Sequence, residues 1–381
     1  DTRSAPQAER IIAQFGAENV AQRTGSVPVA SFTATKLAWV KHHEPQLAEK
    51  IAAVALPHDW LTWRLQGYGP SISSRLGPQL DKLVTDRSDA SGTGYFSPVT
   101  NSYDDDILDF VLGHRPFLPR VLGPEDSAGT TEDGWVIGAG GGDNAMAALG
   151  LGARSGDVVM SLGTSGTVFA VTSTPASDGT GTVAGFADAS GAFLPLVATL
   201  NASRPIDSVR QLLGYSWEEF TAAIDTAAPG SGGLTLLPFF DGERMPNLPH
   251  STGLFGGITR SNLVRENMAR AVVEGVIANL ARGLDAIVSE TEKLTRLLLI
   301  GGGAQNAGTQ RVVSELVNMP VGVPAPGEYV AFGAAKQAAW ALTGTLPTWA
   351  PVAPALPERS TNAVAREQFE NLLRHYERSI D

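Results

Sequence analysis

The sequence has no cysteine among its 381 residues, which excludes disulfides, thiolate zinc sites, iron–sulfur clusters and cysteine nucleophiles. No apolar run approaches the ~18 residues of a membrane-spanning helix. Positive charge is also scarce: 28 Lys and Arg stand against 39 Asp and Glu, for a net charge of −11. The resulting field repels phosphate, which argues against broad binding to nucleic acid or anionic membranes. These absences predict a soluble, cytoplasmic protein.

What is present is typical of a folded, multidomain chain. Hydrophobic residues make up 43% and charged residues 18%, and at ~100–200 residues per domain the length predicts two or three domains. Runs typical of strands and of helices alternate, which predicts α/β layers in two lobes that meet near residue 152. A Pro-rich stretch at 347–357 leads to an amphipathic helix predicted over 362–380.

The first candidate site is the glycine-rich segment 138–142 (GAGGG), called the acid turn below because Asp143 and Asn144 follow it. A short β-type run precedes it and a helix of small residues is predicted over 145–151. Glycines let a ligand approach the backbone, and the amides and dipole of a helix start stabilise negative charge. Asp143 is therefore a candidate base. The alternative is an ordinary N-cap, worth ~1 kcal/mol.

The second candidate is the segment 163–166 (GTSG), called the hairpin loop, between β-type runs at 158–161 and 167–171. Backbone amides in a tight turn, together with the hydroxyls of Thr164 and Ser165, can bind phosphate without adding charge. Glycine and serine equally favour a plain hairpin turn, so the motif alone is a weak signal.

The third candidate is the segment 301–304 (GGGA), called the triple-glycine turn, which follows a predicted strand at 297–300 and precedes a helix predicted over 309–318. A nucleotide often lies against the backbone at such a turn. An ordinary strand-to-helix turn explains the pattern as well. The spaced glycines of a dinucleotide site and the Gly-Lys-Ser/Thr of a Walker loop are both absent.

Other chemistries find little support. The six histidines show no metal-ligand spacing beyond the adjacent His42 and His43, which argues against a transition-metal site. No Gly-x-Ser-x-Gly elbow occurs, which argues against a serine hydrolase. Glu243 and Arg244 fit either a substrate clamp or a stabilising ion pair, and the ion pair is favoured because buried Arg is usually paired.

In their order along the chain, these motifs resemble the FGGY carbohydrate kinases, from residue 1 to about residue 344. Matching segments include 140–144 (GGGDN), 162–166 (LGTSG), 242–246 (GERMP), 301–304 (GGGA) and a long predicted helix that contains Glu274. Two longer signatures match at 31–39 (SFTATKLAW), where a nearby His42 is unusual, and at 253–274. The segments 1–3, 85–93, 199–202 and 324–333 are most similar to members that act on xylulose.

The resemblance implies an α/β fold of two actin-like (ribonuclease H-like) lobes, with MgATP and a sugar in the cleft between them. Residues 1–151 would form the sugar-side lobe, 152–345 the nucleotide-side lobe, and 346–381 a linker and terminal helix. The implied cofactors are ATP and Mg²⁺, without an assigned metal ligand. The implied partners are small molecules, a homodimer is allowed, and no nucleic acid or membrane is expected.

The resemblance also implies roles for individual residues. Asp143 would be the catalytic base that accepts the proton of the attacking sugar hydroxyl, and Asn144 would lie beside the sugar. The nucleotide would be bound by Gly163, Thr164, Ser165, Ser261, Gly302, Gly303, Ala304 and Asn306. A carboxylate base suffices for this chemistry, because phosphoryl transfer asks the protein mainly for positioning and charge stabilisation.

The implied reaction is ATP-dependent phosphorylation of D-xylulose to D-xylulose 5-phosphate. A sibling kinase for ribulose, glycerol or gluconate is the nearest alternative, and a non-catalytic nucleotide- or sugar-binding remnant is an alternative of another class. One departure favours the remnant: the family's N-terminal Asp-x-Gly-Thr-x-Ser-like hairpin does not precede residue 1. We expect the sequence to be a piece of a longer chain that has this hairpin.

Overall fold

The computed structural model describes residues 2–291, 293–359 and 361–380. Asp1, in a segment quoted for the resemblance, lies outside the described residues. Up to residue 151 the helices are α1 (Ala5–Phe15), α2 (Ala17–Thr24), α3 (Thr33–His43), α4 (Pro45–Ala48), α5 (Pro57–Leu65), α6 (Arg87–Ser91), α7 (Asp105–Leu112) and α8 (Asp143–Leu151). The strands there are β1 (Val84–Asp86), β2 (Phe96–Ser97), β3 (Ser102–Tyr103), β4 (Arg120–Leu122), β5 (Ser127–Thr130) and β6 (Val136–Gly138).

Beyond residue 151 the chain continues in the same alternating manner. The strands are β7 (Asp157–Leu162), β8 (Gly166–Ala170), β9 (Ala184–Ala187), β10 (Phe193–Thr199), β11 (Thr235–Leu237), β12 (Leu254–Gly256), β13 (Arg296–Ile300) and β14 (Val321–Gly322). The helices are α9 (Ser203–Leu212), α10 (Trp217–Thr226), α11 (Arg265–Glu290), α12 (Ala307–Leu316), α13 (Tyr329–Thr343) and α14 (Ala363–Ile380). In the described residues, no helix has both the length and the apolar character that crossing a membrane requires.

A six-stranded mixed sheet organises this second part, in the order β14-β13-β7-β8-β10-β9. The predicted hairpin is confirmed, since β7 and β8 pair antiparallel with Leu162 opposite Gly166. β13 pairs with β7 in parallel, with Ile300 opposite Ser161. Parallel neighbours end at the same edge of a sheet, so the segments that follow β7 and β13 meet there.

The long helix α11 covers one face of this sheet. Apolar residues at helical spacing predict a buried face, and Val272, Val276 and Leu280 are indeed fully buried in the main core. The terminal helix α14 packs on α11 and adds Phe369 and Leu373 to the same core. The proposed domain bounds, after residues 151 and 345, stay predictions.

The helix that begins at Asp143, α8, packs closely against α13 from near the other end of the chain. A Cβ on Gly150 would lie 2.1 Å from the Tyr329 carbonyl oxygen, and one on Gly333 would lie 1.9 Å from the Met146 carbonyl oxygen. Only glycine fits at either position, so the two helices cross in backbone contact. The crossing brings α13 up to the acid turn.

Candidate active site

The hairpin loop and the triple-glycine turn lie side by side, as the parallel pairing of β7 and β13 requires. A Cβ on Gly303 would approach the Leu162 Cβ to 3.1 Å. Ala304 is fully buried and anchors the triple-glycine turn in the core. The structure therefore brings together two of the three sequence motifs at one edge of the sheet.

Both segments present an open backbone face. No heavy atom lies within 4 Å of where a Cβ on Gly302 would stand, and a Cβ on Gly163 would meet only the Ser165 carbonyl oxygen, at 3.3 Å. Thr164 and Ser165 are exposed. Exposed amides and hydroxyls in a tight turn suit the oxygens of a phosphate chain, and the bare edge at Gly302 leaves room for the rest of a nucleotide.

Ser203, at the start of α9, supports the hairpin loop through two hydrogen bonds. Its backbone amide donates to the Gly163 carbonyl at 3.0 Å, and its hydroxyl donates to the Leu162 carbonyl at 3.1 Å. These bonds satisfy the inward-facing carbonyls at the end of β7. The outward-facing groups of the loop are left for a ligand.

Glu243 holds the segment that carries Ser203. It is 1% exposed, and its carboxylate accepts from the backbone amides of Leu200 at 2.6 Å and Arg244 at 2.7 Å. The Asn201 side chain donates to it as well, at 3.0 Å. Among the described ion pairs, none joins Glu243 to Arg244, which is exposed, so the favoured sequence interpretation of a stabilising ion pair was wrong.

Asp143 is exposed at the first position of α8, and Gly142, rather than Asp143, is the N-cap. One carboxylate oxygen, Oδ1, accepts from the backbone amide of Asn144 at 2.8 Å and from its side-chain nitrogen at 3.1 Å. The hydrogen bonds of Asp143 among the described residues use Oδ1 only. The helix dipole stabilises the negative charge at this position, and Oδ2 is left for a ligand.

Asn144 links the acid turn to the hairpin loop. Its side-chain oxygen accepts from the Thr167 hydroxyl at 3.5 Å, and Thr167 stands directly after the loop, in β8. The same side chain contacts Asp143. The candidate base therefore lies next to the candidate phosphate site, although the two come from different parts of the sequence.

Two further predicted residues have other partners. Asn306 is the N-cap of α12: its side-chain oxygen accepts from the Thr309 amide at 3.0 Å and its nitrogen donates to the Thr221 hydroxyl at 2.7 Å. Ser261 is exposed in the turn before α11, and its hydroxyl pairs with that of Thr259 at 3.1 Å. Among the described contacts, none joins Ser261 to either glycine segment. Nucleotide contacts of Asn306 and Ser261 stay predictions.

Sequence reasoning missed a group of side chains beneath the acid turn. The His58 Nδ1 lies 2.5 Å from an Asp89 carboxylate oxygen, and its Nε2 lies 3.3 Å from Asp59 and 3.8 Å from Asp86. We call these four residues the His58 cluster. The only sequence signal for this cluster was the match of segment 85–93 to the family. The spacing of the four residues along the sequence does not show that α5 and α6 lie together.

The His58 cluster shifts the pKa values of its members. Burial alone lowers the pKa of His58, but contact with Asp89 and the charges of Asp59 and Asp86 raise it to about 9 overall. Burial, with the charge of Asp89, raises the pKa of Asp86 to about 6. Burial likewise raises the pKa of Asp59. The imidazolium is thus the stable form of His58 at neutral pH.

Among the described residues, we consider the His58 cluster and the single carboxylate of Asp143 as sources of ligand atoms for Mg²⁺. His58, Asp86 and Asp89 each provide one within 4.8 Å of the others. Mg²⁺ strongly prefers oxygen ligands and retains waters, and the His58 nitrogen is already paired with Asp89, so this group fits poorly. The exposed carboxylate of Asp143, close to the hairpin loop, fits better, since Mg²⁺ is typically shared between one or two carboxylates and substrate phosphates.

Comparison with known families matches two parts of the chain. Residues 1–150 match the N-terminal domain, and residues 158–342 the C-terminal domain, of the FGGY family of carbohydrate kinases. A xylulose kinase of Streptomyces coelicolor is 47% identical over 354 residues, which cover 90% of this chain and 69% of that protein. A xylulose kinase of Streptomyces rubiginosus is 47% identical over 357 residues, 91% of this chain and 69% of that protein.

Solved structures agree with this. The crystal structure of xylulose kinase from Bifidobacterium adolescentis superposes with a TM-score of 0.89 at 41% identity, covering 98% of this chain and 81% of that one. A Plasmodium falciparum glycerol kinase with ADP shares the fold, at a TM-score of 0.84 and 17% identity, over 100% of this chain and 78% of that one. The predicted fold of two actin-like lobes is confirmed, and the chain belongs to the FGGY family of carbohydrate kinases.

Proposed function

We propose that this chain phosphorylates D-xylulose with MgATP to give D-xylulose 5-phosphate and ADP. Membership of the FGGY family makes it a phosphotransferase that acts on a carbohydrate hydroxyl with ATP and Mg²⁺. The choice of sugar is supported by the two Streptomyces xylulose kinases at 47% identity. One structural observation supports the catalytic assignment: the Asn144 side chain contacts both Asp143 and Thr167, which stands next to the proposed phosphate site.

In this proposal the nucleotide lies along the edge of the sheet. The amides of the hairpin loop, with the hydroxyls of Thr164 and Ser165, bind the phosphates, and the backbone at Gly302 and Gly303 lies against the adenosine. The open faces of both segments support this. Neutral amide donors suit a triphosphate here, because they bind it without requiring a basic patch in an acidic protein.

The transfer then proceeds in one step. Asp143 accepts the proton of the terminal sugar hydroxyl while that oxygen attacks the γ-phosphorus. A bond forms between the sugar oxygen and phosphorus, the bond from phosphorus to the β,γ-bridging oxygen breaks, and ADP leaves with the electron pair. Asn144, which holds one carboxylate oxygen of Asp143, keeps the other oriented toward the sugar.

Mg²⁺, when bound by the phosphates of ATP near Asp143, would offset the negative charge that gathers on the transferring phosphoryl group and leave the free oxygen of Asp143 to accept the proton. The chain's own task is to align the reacting groups. The Glu243 and Ser203 hydrogen bonds hold the hairpin loop in place, so that the phosphate site does not need to form anew when ATP arrives.

The test is ADP release from MgATP by this chain with D-xylulose, D-ribulose, glycerol or gluconate. The Streptomyces coelicolor relative serves as the positive control. Release that depends on D-xylulose above the other three supports the proposal. If another sugar is preferred, that sugar replaces D-xylulose as the proposed substrate. If a thermal shift shows nucleotide binding but no sugar leads to ADP release, the chain is a non-catalytic binding protein.

Two finer expectations accompany this function. A cytoplasmic location is supported by the need for ATP, and cell fractionation would test it. A homodimer stays a prediction, which sedimentation of the purified chain would decide.

A further inference from the structure

The acid turn is held from the α13 side by one amide side chain. Gln337 is 3% exposed. Its Oε1 accepts from the Gly140 backbone amide, and its Nε2 donates to the Gly140 carbonyl, both at 2.9 Å. Gly140 has a φ of +88°, a conformation that glycine adopts readily. Two bonds to the same residue fix that conformation.

The turn is held from the opposite side through Ser88. The Gly142 amide donates to the Ser88 hydroxyl at 2.9 Å, and that hydroxyl donates to Asp86 at 2.5 Å. Asp86 also accepts from the Ser88 backbone amide at 2.6 Å. Gly142 is the residue directly before Asp143, so this chain of bonds ends at the backbone of the base.

His58 supports the same turn by contact and by charge. A Cβ on Gly140 would lie 2.8 Å from the His58 ring carbon Cδ2, so the ring lies against the backbone of the turn. The other members of the His58 cluster are all carboxylates. Among the described ion pairs, His58 is the only cation that contacts Asp59, Asp86 or Asp89. Arg87, between two of them, points instead toward Pro98 and Asn101.

We propose that His58 and Gln337 are positioning residues for Asp143, which hold the acid turn from its two sides and so fix the direction of the base. Neither touches the reacting atoms. The inference rests on the proposed function, in which Asp143 accepts the proton of the sugar hydroxyl. A misplacement of the base by about 1 Å can cost about 100-fold in rate.

The two residues act by different means, which separate variants distinguish. Gln337→Met keeps the length and volume of the side chain but removes both hydrogen bonds. Gln337→Glu keeps the acceptor for the Gly140 amide and sets a carboxylate against the Gly140 carbonyl. His58→Gln removes the charge that balances Asp86 and Asp59, whereas His58→Lys restores a positive charge without the ring.

The experiment measures kcat and the KM for ATP with D-xylulose for each variant. Gln337→Met and His58→Gln are expected to lower kcat about 10- to 100-fold, with KM for ATP within about threefold of wild type, because the turn moves and the nucleotide segments do not. Gln337→Glu should lower kcat more than Gln337→Met does. His58→Lys should regain at least about fivefold over His58→Gln, because a buried carboxylate depends on its counter-charge.

Matched controls come from the same region. Gln66→Met removes a half-buried glutamine that bonds the Thr62 carbonyl at 3.3 Å, and His114→Gln removes a histidine that pairs with the Ile51 carbonyl at 2.9 Å. Both should keep wild-type kcat. Wild-type kcat in Gln337→Met and His58→Gln, or equal losses in these controls, would overturn the inference.

Amide hydrogen exchange provides a readout that does not depend on turnover. Gln337→Met should raise exchange at Gly140, and Ser88→Ala, a smaller change than either of the others, should raise it at Gly142, because each amide loses its acceptor. Unchanged exchange at both positions would overturn the inference even if kcat falls. If exchange rises in the variants but the wild type releases no ADP with any sugar, the proposed function is contradicted. The hydrogen bonds that hold the acid turn are then still established.

Discussion

At Asp143, one carboxylate oxygen is held by Asn144 while the other is left for a ligand. Asp143→Asn keeps the shape of the group but removes its capacity to accept a proton. Because a general base contributes about 100- to 10,000-fold, we expect kcat to fall by at least about 100-fold with D-xylulose. The KM for ATP should change by less than about threefold, since the proposed phosphate site lies in the hairpin loop.

The control for this variant is Asp133→Asn, which changes an exposed aspartate in the turn before β6. It should keep wild-type kinetics. Turnover retained in Asp143→Asn would remove Asp143 from the mechanism.

The charge of His58 also predicts how stability depends on pH. The pKa of His58 is raised from 6.5 to about 9 in the folded chain, so the folded state binds this proton more tightly than the unfolded state does. Its contribution is therefore complete below about pH 6.5 and is lost as the pH rises through about 9. Urea unfolding should show the free-energy difference between wild type and His58→Gln shrinking by on the order of 2 kcal/mol from pH 6.5 to 9.

Asp86 titrates with the same sign but at lower pH, since burial raises its pKa to about 6 and its protonation below that pH also favours the folded state. The comparison therefore starts at pH 6.5, above this titration. A difference that stays constant to pH 9 would show that His58 is neutral in the folded chain.

Among the elements, the triple-glycine turn makes a sharp prediction. No atom lies within 4 Å of the place that a Cβ on Gly302 would take, and its φ is not positive, so a side chain there is accommodated in the free protein. Gly302→Val should keep the melting temperature but raise the KM for ATP at least about tenfold, because the new methyl groups occupy the nucleotide's place. Gly327→Val, at an exposed glycine, is the control, and an unchanged KM in Gly302→Val would remove this turn from the nucleotide site.

The crossing of α8 and α13 predicts that a Gly→Ala substitution there changes stability in the direction opposite to the usual one. In an open helix, Gly→Ala stabilises by about 1 kcal/mol. At Gly333 the new Cβ would lie 1.9 Å from the Met146 carbonyl oxygen, so Gly333→Ala should destabilise by about 1–3 kcal/mol. Thermal unfolding measures the change, with Gly327→Ala as the matched control; a melting temperature at or above wild type would contradict backbone contact at the crossing.

Local sequence patterns predicted most of the helices and strands near the site, but they could not predict contacts between residues that are far apart in the sequence. The hairpin of β7 and β8 was predictable because its strands and loop are contiguous, and α11 because its apolar residues recur at helical spacing. Gln337 was not, since it bonds Gly140 across 197 residues. The role of Glu243 was missed for a related reason: the sequence does not distinguish a buried acid held by amides from one paired with Arg244.

At the scale of the whole molecule, we predict that the two parts of the site come closer for the reaction. Asp143 is exposed, and the bond between Asn144 and Thr167 is long, at 3.5 Å. Phosphoryl transfer to a sugar rather than to water requires a closed cleft. Small-angle scattering should show a smaller radius of gyration with D-xylulose and a non-hydrolysable ATP analogue together than with either alone. An unchanged radius would contradict closure about the region near residue 152.

The contact between α8 and α13 also bears on how the protein is made. α13 leaves the ribosome nearly half a chain length after α8, a delay on the order of ten seconds or more at ordinary rates of synthesis. Until then the glycine face of α8 has no partner and the acid turn lacks Gln337. The nascent polypeptide therefore carries Asp143 and the acid turn long before Gln337 is available to hold that turn in shape.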